Sequence, residues 1–253
     1  MAGPRPLVWL DARNREQPFP DPRQALRQPN GLLAAGGDLS AERLLNAYRH
    51  GIFPWYSPGE PILWWSPDPR AVLSVGQLHR SRSLHKAWKR QDFACTLNTD
   101  WHGVLRGCSR IGSREGVWLG TAMQRAYTEL HQLGRAHSLE IWRHGHLIGG
   151  LYGLSMGGIF FAESMFSRES NASKLALWAL DALLQSRGLA LLDGQVASPH
   201  LMRMGFTLWP REVFLGSLPS LLAAAESAEA WSIPADFGGD PAHLPQQRLP
   251  PAP

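Results

Sequence analysis

The sequence predicts an α+β fold in two parts. A small irregular N-terminal domain, residues 1–70, precedes a larger domain over 71–232, and a disordered proline-rich tail covers 233–253. Three observations carry this reading. Residues 51–70, GIFPWYSPGEPILWWSPDPR, hold five prolines and three tryptophans. Each proline removes a backbone donor and fixes φ, so a stiff ordered loop is expected there rather than a helix or a central strand. Residues 138–163 form short apolar runs separated at His144-Gly145 and Gly157-Gly158, the pattern of three antiparallel strands. After Ser232 the chain is rich in Pro, Gly and Gln, a composition that cannot bury enough apolar surface to order itself.

The elements follow in order. Residues 1–30 read as irregular. Ser40 caps a helix whose apolar stripe is Leu44, Leu45 and Tyr48, with Arg49 and His50 in its last turn and Gly51 as its stop. The proline-tryptophan loop comes next. Thr121 to Leu133 reads as a helix with Met123, Tyr127 and Leu130 on one face, ended by Gly134. Strands are expected over Ser138–Arg143, Leu147–Leu154 and Ile159–Glu163. A polar loop, SMFSRESNASK, leads to a helix over Ala172–Arg187, and Leu189–Val196 is a strand. Ser198-Pro199 opens a short helix that Gly205 ends, and Phe206–Trp209 is a last strand. Three antiparallel strands followed by α-β-α-β is the order of the acetyltransferase-like (GNAT-like) core. Acetyl-CoA-dependent proteins of that fold carry a glycine-rich loop whose backbone N–H groups bind pyrophosphate. Phe166–Lys174 fills that place without a glycine, so this scaffold is expected not to grip CoA.

The chain of 253 residues carries a formal charge of +4, a mild bias toward anionic partners. Between Arg70 and Arg114 nine Lys/Arg face only Asp92 and Asp100. A solvated face and a phosphate footprint are both consistent with that run; beside a tryptophan-rich loop the footprint is favoured. Cys95 and Cys108 make neither a C-x-x-C pair nor a zinc signature, and the ten histidines show no metal spacing, so no metal or other cofactor is expected. Two lone cysteines, no secretory signal and no apolar run of about 20 residues point to the cytoplasm and away from a membrane.

Trp55, between Pro54 and Tyr56, is placed to stack on a flat ligand such as a nucleobase. For Trp64 and Trp65 stacking and plain packing weigh equally. Asp193 and Gln195, two apart on an apolar strand, are expected on one face. A carboxylate there is costly unless paired or used. It is either bonded to backbone amides or it orients Gln195, whose carbonyl accepts from an amine. Glu163, at a strand end, is the third candidate.

Several stretches then resemble one family. They are PNGLLAAGGDLS (Pro29–Ser40), GIFPWYSPGEPILWWSPDPRAVL (Gly51–Leu73), SRS (Ser81–Ser83), AYTELHQLGRAHSLEIW (Ala126–Trp142), ESMFSRESNASK (Glu163–Lys174) and LLDGQV (Leu191–Val196). In this order they resemble the leucyl/phenylalanyl-tRNA–protein transferases. The resemblance implies an enzyme that moves Leu or Phe, and Met less well, from Leu-tRNA or Phe-tRNA to proteins with N-terminal Arg or Lys, marking them for degradation by the N-degron pathway. It implies a GNAT-like C-terminal domain behind a family-specific N-terminal one; a monomer is expected, though no residue pattern fixes the oligomeric state. It implies that Trp55 and Trp118 bracket the terminal adenosine and that Leu151, Phe160, Met165, Leu177 and Leu192 form the amino-acid pocket. Without it, those five read as ordinary core. The implied catalytic set is Asp193, Gln195 and Glu163. From the basic run itself, Arg70, Arg80, Arg82, Lys86, Lys89 and Arg90 are expected on the tRNA backbone. Two departures stand out: Ala162 replaces the usual glycine, and SPHLMRMGF replaces the usual small residues after the QV strand. The rival readings are an acetyl-CoA-dependent N-acetyltransferase and a non-catalytic RNA-binding module.

Overall fold

The computed structural model describes residues 7–111, 119–225, 231 and 233. Strands β1 (Val8–Leu10), β2 (Leu32–Gly36), β3 (Phe53–Pro54) and β4 (Leu63–Trp65) form a sheet in the order β1-β2-β4-β3. The stiff loop of the sequence reading is therefore a hairpin with two short strands. Pro54 is tolerated because β3 is an edge strand, and β4, inside the sheet, contains no proline. The expectation of irregular structure over residues 1–30 misses β1, which pairs parallel to β2 through only three residues.

Helix α1 (Ala41–Arg49) starts where Ser40 accepts from the Arg43 amide, as capping chemistry requires. It delivers Tyr48 to the core.

The second sheet runs β11-β5-β10-β9-β8-β7-β6. Its strands are β5 (Arg70–Ser74), β6 (Ala94–Leu97), β7 (Ala136–Arg143), β8 (His146–Met156), β9 (Ile159–Ser167), β10 (Leu191–Gln195) and β11 (Thr207–Trp209). His144-Gly145 and Gly157-Gly158 make the expected turns. Helices α2 (Arg82–Lys89), α5 (Ala172–Ser186) and α6 (Pro199–Arg203) bury residues in one core cluster. Helices α1, α3 (Trp101–Ile111), α4 (Thr121–Gln132) and α7 (Arg211–Ala223) contribute to another. Alternation along β8 and β9 divides the strands between the two: Leu151 and Phe160 join the α5 side, Tyr152 and Phe161 the α4 side. The α4-side core also takes in Trp64 and Tyr48, so one apolar cluster crosses from the first sheet to the second.

Two irregularities create the site. In this sheet β9 and β10 are the one parallel pair, and their pairing reaches only Phe161 and Asp193. Glu163 and Gln195 lie two residues beyond. Each is also set by a bulge. Tyr152 pairs Ser164 while Gly153 pairs Ala162, which leaves Glu163 as the extra residue of β9. Asp193 pairs Val72 while Gln195 pairs Ala71, which leaves Gly194 as the extra residue of β10. Bulges re-aim side chains next to active sites. Gly194 is required: a Cβ there would sit 2.7 Å from the Phe206 ring.

Candidate active site

Glu163 does not end its strand, as the sequence reading has it; β9 continues to Ser167, and Glu163 stands on the bulge. Its Oε1 accepts from Gln195 Nε2 at 2.7 Å, and its Oε2 accepts from the Tyr127 hydroxyl at 2.6 Å. Because Tyr127 donates its proton to Glu163, Tyr48, 2.7 Å away, donates to Tyr127. Helical spacing places both tyrosines on apolar stripes and marks neither as functional. The available signal was chemical, since a buried tyrosine hydroxyl needs a partner.

Burial lifts the Glu163 carboxyl to about 7. The Asp193 charge adds to the rise, and hydrogen bonds from Tyr127, itself backed by Tyr48, and from Gln195 oppose it. Glu163 is half-buried by surface area yet enclosed by protein at longer range, which is why desolvation leads. Burial, reinforced by the Glu163 charge, holds the Tyr48, Tyr127 and Tyr152 phenols well above their usual range, so all three stay protonated, and Tyr48 and Tyr127 donate.

Asp193 and Gln195 do not share a face. The bulge and the left-handed backbone of Gln195, φ +60°, break the two-residue alternation. Asp193 is fully buried and touches the Gln195 backbone rather than its amide: Oδ1 accepts from Gln195 N at 2.8 Å. Both its oxygens also accept from Arg70, Oδ1 from Nε at 2.9 Å and Oδ2 from Nη2 at 2.7 Å. Arg70 is thus not a tRNA-backbone residue. It is 1% exposed, with its guanidinium between the Phe53 and Phe214 rings. Arg80 is likewise engaged: it donates to the buried Asp181 at 3.2 Å and lies over Trp178. The other four cations, Arg82, Lys86, Lys89 and Arg90, are exposed on and just after α2. That helix is anchored by buried Leu84 and Ala87, and by Trp88 stacked on Trp178 at 4.5 Å.

Leu151, Phe160, Leu177 and Leu192 come together in the α5-side core, each at most 1% exposed, and half-buried Met165 packs on them. Leu192 pairs Phe160, and Leu151 pairs Met165, across neighbouring strands.

Trp55 is 43% exposed. Trp65 supports it, donating from Nε1 to the Trp55 carbonyl at 2.6 Å with the rings 5.7 Å apart. Trp64 resolves as packing: it is fully buried, donates to Gly36 O, and meets Phe19 edge-on. Trp118 lies outside the described residues, as does the predicted tail from 234 onward. Gly120, two positions after Trp118, packs on Pro58 of the hairpin.

Two models of one family cover most of the chain. The leucyl/phenylalanyl-tRNA protein transferase model matches residues 72–219, and that family's N-terminal domain model matches 37–68. The chain belongs to the leucyl/phenylalanyl-tRNA protein transferase family. Among its relatives, the leucyl/phenylalanyl-tRNA–protein transferase of Alkalilimnicola ehrlichii is 48% identical over 243 residues, 95% of this chain and 93% of that one. The one from Shewanella halifaxensis is 51% identical over 219 residues, 86% of this chain and 92% of that one. The solved structure of L-PGS from Bacillus licheniformis covers 73% of this chain and 71% of that chain, at 11% identity and a TM-score of 0.41. As a member of this transferase family the chain is an aminoacyl-tRNA–protein acyltransferase. Among the described residues no helix is long and apolar enough to cross a membrane.

Proposed function

We propose that this chain transfers leucine or phenylalanine from its charged tRNA to the α-amine of a polypeptide beginning with Arg or Lys, and that Glu163 and Gln195 form the centre of the reaction. The observation that carries this is the Gln195–Glu163 contact at the splayed ends of β9 and β10. A carboxylate facing an amide fixes its orientation: Nε2 points to Glu163, and Oε1 is left to accept from the incoming amine. The amine nitrogen attacks the ester carbonyl, the C–N bond forms as the ester C–O bond breaks, and the departing ribose oxygen takes the amine proton. An α-amine of ordinary pKa near 7.7–8.0 is partly neutral at pH 7, so positioning supplies most of the rate, a contribution that reaches roughly 7–11 kcal/mol.

Asp193 is committed to Arg70 and Glu169 to Arg143, whereas Glu163 is bonded to the neutral donors Tyr127 and Gln195, so it is Glu163 that attracts the cationic acceptor. The adenosine stacks on Trp55, which is held out to solvent, with Trp118 as the second partner that the family resemblance implies. The amino-acid side chain enters the Leu151, Phe160, Leu177 and Leu192 cluster past Met165, whose unbranched chain re-packs readily. One methylene is worth only about 1–3 kcal/mol in such a pocket, so Met is accepted less well. The exposed α2 cations hold the acceptor-arm phosphates. The single parallel pair in an otherwise antiparallel sheet, splayed at its ends, supports an acetyltransferase-like core.

The test is transfer of radiolabelled leucine from Leu-tRNA to a peptide beginning with Arg, beside one beginning with Ala. Transfer to the Arg peptide alone is expected. Folded protein that binds Leu-tRNA and labels neither peptide overturns the proposal.

A further inference from the structure

The hydrogen bonds around Glu163 form a closed circuit. From Tyr48 they run through Tyr127, Glu163 and the Gln195 amide to the Gln195 backbone, then to Asp193 and Arg70. Arg70 Nη1 donates to the Gly51 carbonyl at 3.1 Å, and the Gly51 amide donates back to the Tyr48 carbonyl at 3.0 Å. The ring therefore leaves the C-terminal turn of α1, crosses α4, β9, β10 and β5, and returns one turn later. Gly51 makes the return possible. Its φ is +70°, and a Cβ there would meet Leu215 at 2.8 Å and Phe214 at 3.0 Å.

We propose that Arg70 is a positioning residue for the transfer reaction: it closes this ring, and the ring holds the Gln195 amide and the Glu163 carboxylate in register for the incoming amine. This rests on the reading of Glu163 and Gln195 as the reaction centre.

Three features support it. First, a buried ion pair adds little stability over an apolar pair of the same size, so another role is needed for one at 1% and 0% side-chain exposure. Second, Arg70 makes three directed bonds, two to Asp193 and one to Gly51, between two aromatic rings. Only the rigid planar fork of arginine does this; lysine offers a point charge. Third, Gln195 is a non-glycine residue at φ +60°, which persists only when its surroundings over-determine it. The Asp193 carboxylate does so by accepting the Gln195 N–H, and Arg70 fixes that carboxylate.

The experiment compares Arg70→Met and Arg70→Lys with the unaltered chain, measuring leucine transfer to the Arg peptide against pH together with Leu-tRNA affinity. Arg70→Met is expected to lower kcat roughly 100-fold, the size that a small misplacement of reacting groups produces. Leu-tRNA affinity stays within about threefold, because Arg70 is remote from solvent. Arg70→Lys recovers part of kcat. The acid limb of the kcat profile also moves, by more than about half a pH unit. Tyr48, Tyr127, Tyr152, Asp193 and Gln195 surround Glu163, and of these Asp193 alone loses its counter-ion. A chain that is merely less folded loses kcat in proportion to its folded fraction and keeps its pH profile.

Should Arg70→Met fail to fold, Arg70→Met with Asp193→Asn removes both buried charges and still opens the ring. The same loss of kcat at unchanged affinity is expected. Transfer within about threefold of the unaltered chain, with an unmoved acid limb, overturns the proposal. If the unaltered chain itself transfers no leucine, the proposed function has failed instead.

Discussion

The tryptophan hairpin of the first sheet and the hydrogen-bonded ring of the second solve opposite problems. The hairpin buries Trp64 so that Trp55, 43% exposed, can be held out to solvent on a stiff support. The ring does the reverse. Asp193 and Arg70 are almost wholly enclosed, and each finds its partners inside the protein. An exposed aromatic adapts to what it binds, whereas enclosed polar groups keep one geometry. Recognition of a flat ligand suits the first plan, and alignment of two reacting groups suits the second.

Removing a ring member that has no exposed surface is the strongest way to break this contrast. Asp193→Ala leaves Arg70 charged and unpaired in the core, at an expected cost of about 3–5 kcal/mol in stability. Denaturant unfolding measures that, and transfer by the fraction that stays folded is expected to fall as well. A change of under 1 kcal/mol would mean the pair is not enclosed.

Within the hairpin, Trp64→Ala is expected to lose about 3–5 kcal/mol of stability, since a buried indole is replaced by a cavity. Thermal unfolding reads this directly.

A second enclosed carboxyl separates burial for structure from burial for chemistry. Glu140 of β7 accepts from Thr96, Ser138 and the Thr99 amide, and burial lifts it to about 7. Its folded value lies above its unfolded one. The native state therefore holds an extra proton between pH 4.5 and 7, and Glu140 costs stability as pH rises through that window. His137, pushed down to about 3 by burial, acts in the opposite sense up to pH 6.5. Glu140→Gln is expected to remove its own share: relative to the unaltered chain, its stability gains up to about 3 kcal/mol from pH 5 to pH 8. Transfer kinetics at fixed pH should change little, unlike those of the ring variants.

Trp55→Ala sharpens the comparison from the exposed side. Stability is expected to hold within about 0.5 kcal/mol, while Leu-tRNA binding weakens by about 1–3 kcal/mol, the worth of one stacked base. Titration of Leu-tRNA with both proteins decides it.

The smallest effect is expected on α2. Lys86→Ala is expected to weaken Leu-tRNA binding modestly and to lower the salt slope of log K by about one phosphate contact. An unchanged slope would place the acceptor arm elsewhere.

Much of this was legible in the chain. Ser40, Gly134 and Ser198 marked helix ends, because capping and left-handed stops depend on one or two neighbouring residues. Gln195 and Trp55 stand out as polar or aromatic residues in places where neither is expected by default, whereas Glu163, a common kind of strand-end residue, gains its weight from the family resemblance. Arg70, by contrast, reads as a phosphate contact, because a charge count cannot see that its partner lies 123 positions away. Tyr48 and Tyr127 were hidden for a related reason: helical spacing shows which face is buried, but not which buried hydroxyls meet.

What the sequence by itself determined is therefore local or compositional: the α+β class, the glycine turns of the β7–β9 meander, the caps, and the short list of residues able to do chemistry. What only the tertiary structure decided is how that list is used. The bulges at Glu163 and Gly194 depend on strand register, a relation between distant segments. The closure of the ring through Arg70 depends on five elements packing at once. Local propensity acts over a few residues, while a buried charge acquires its role only from the partner that folding brings to it.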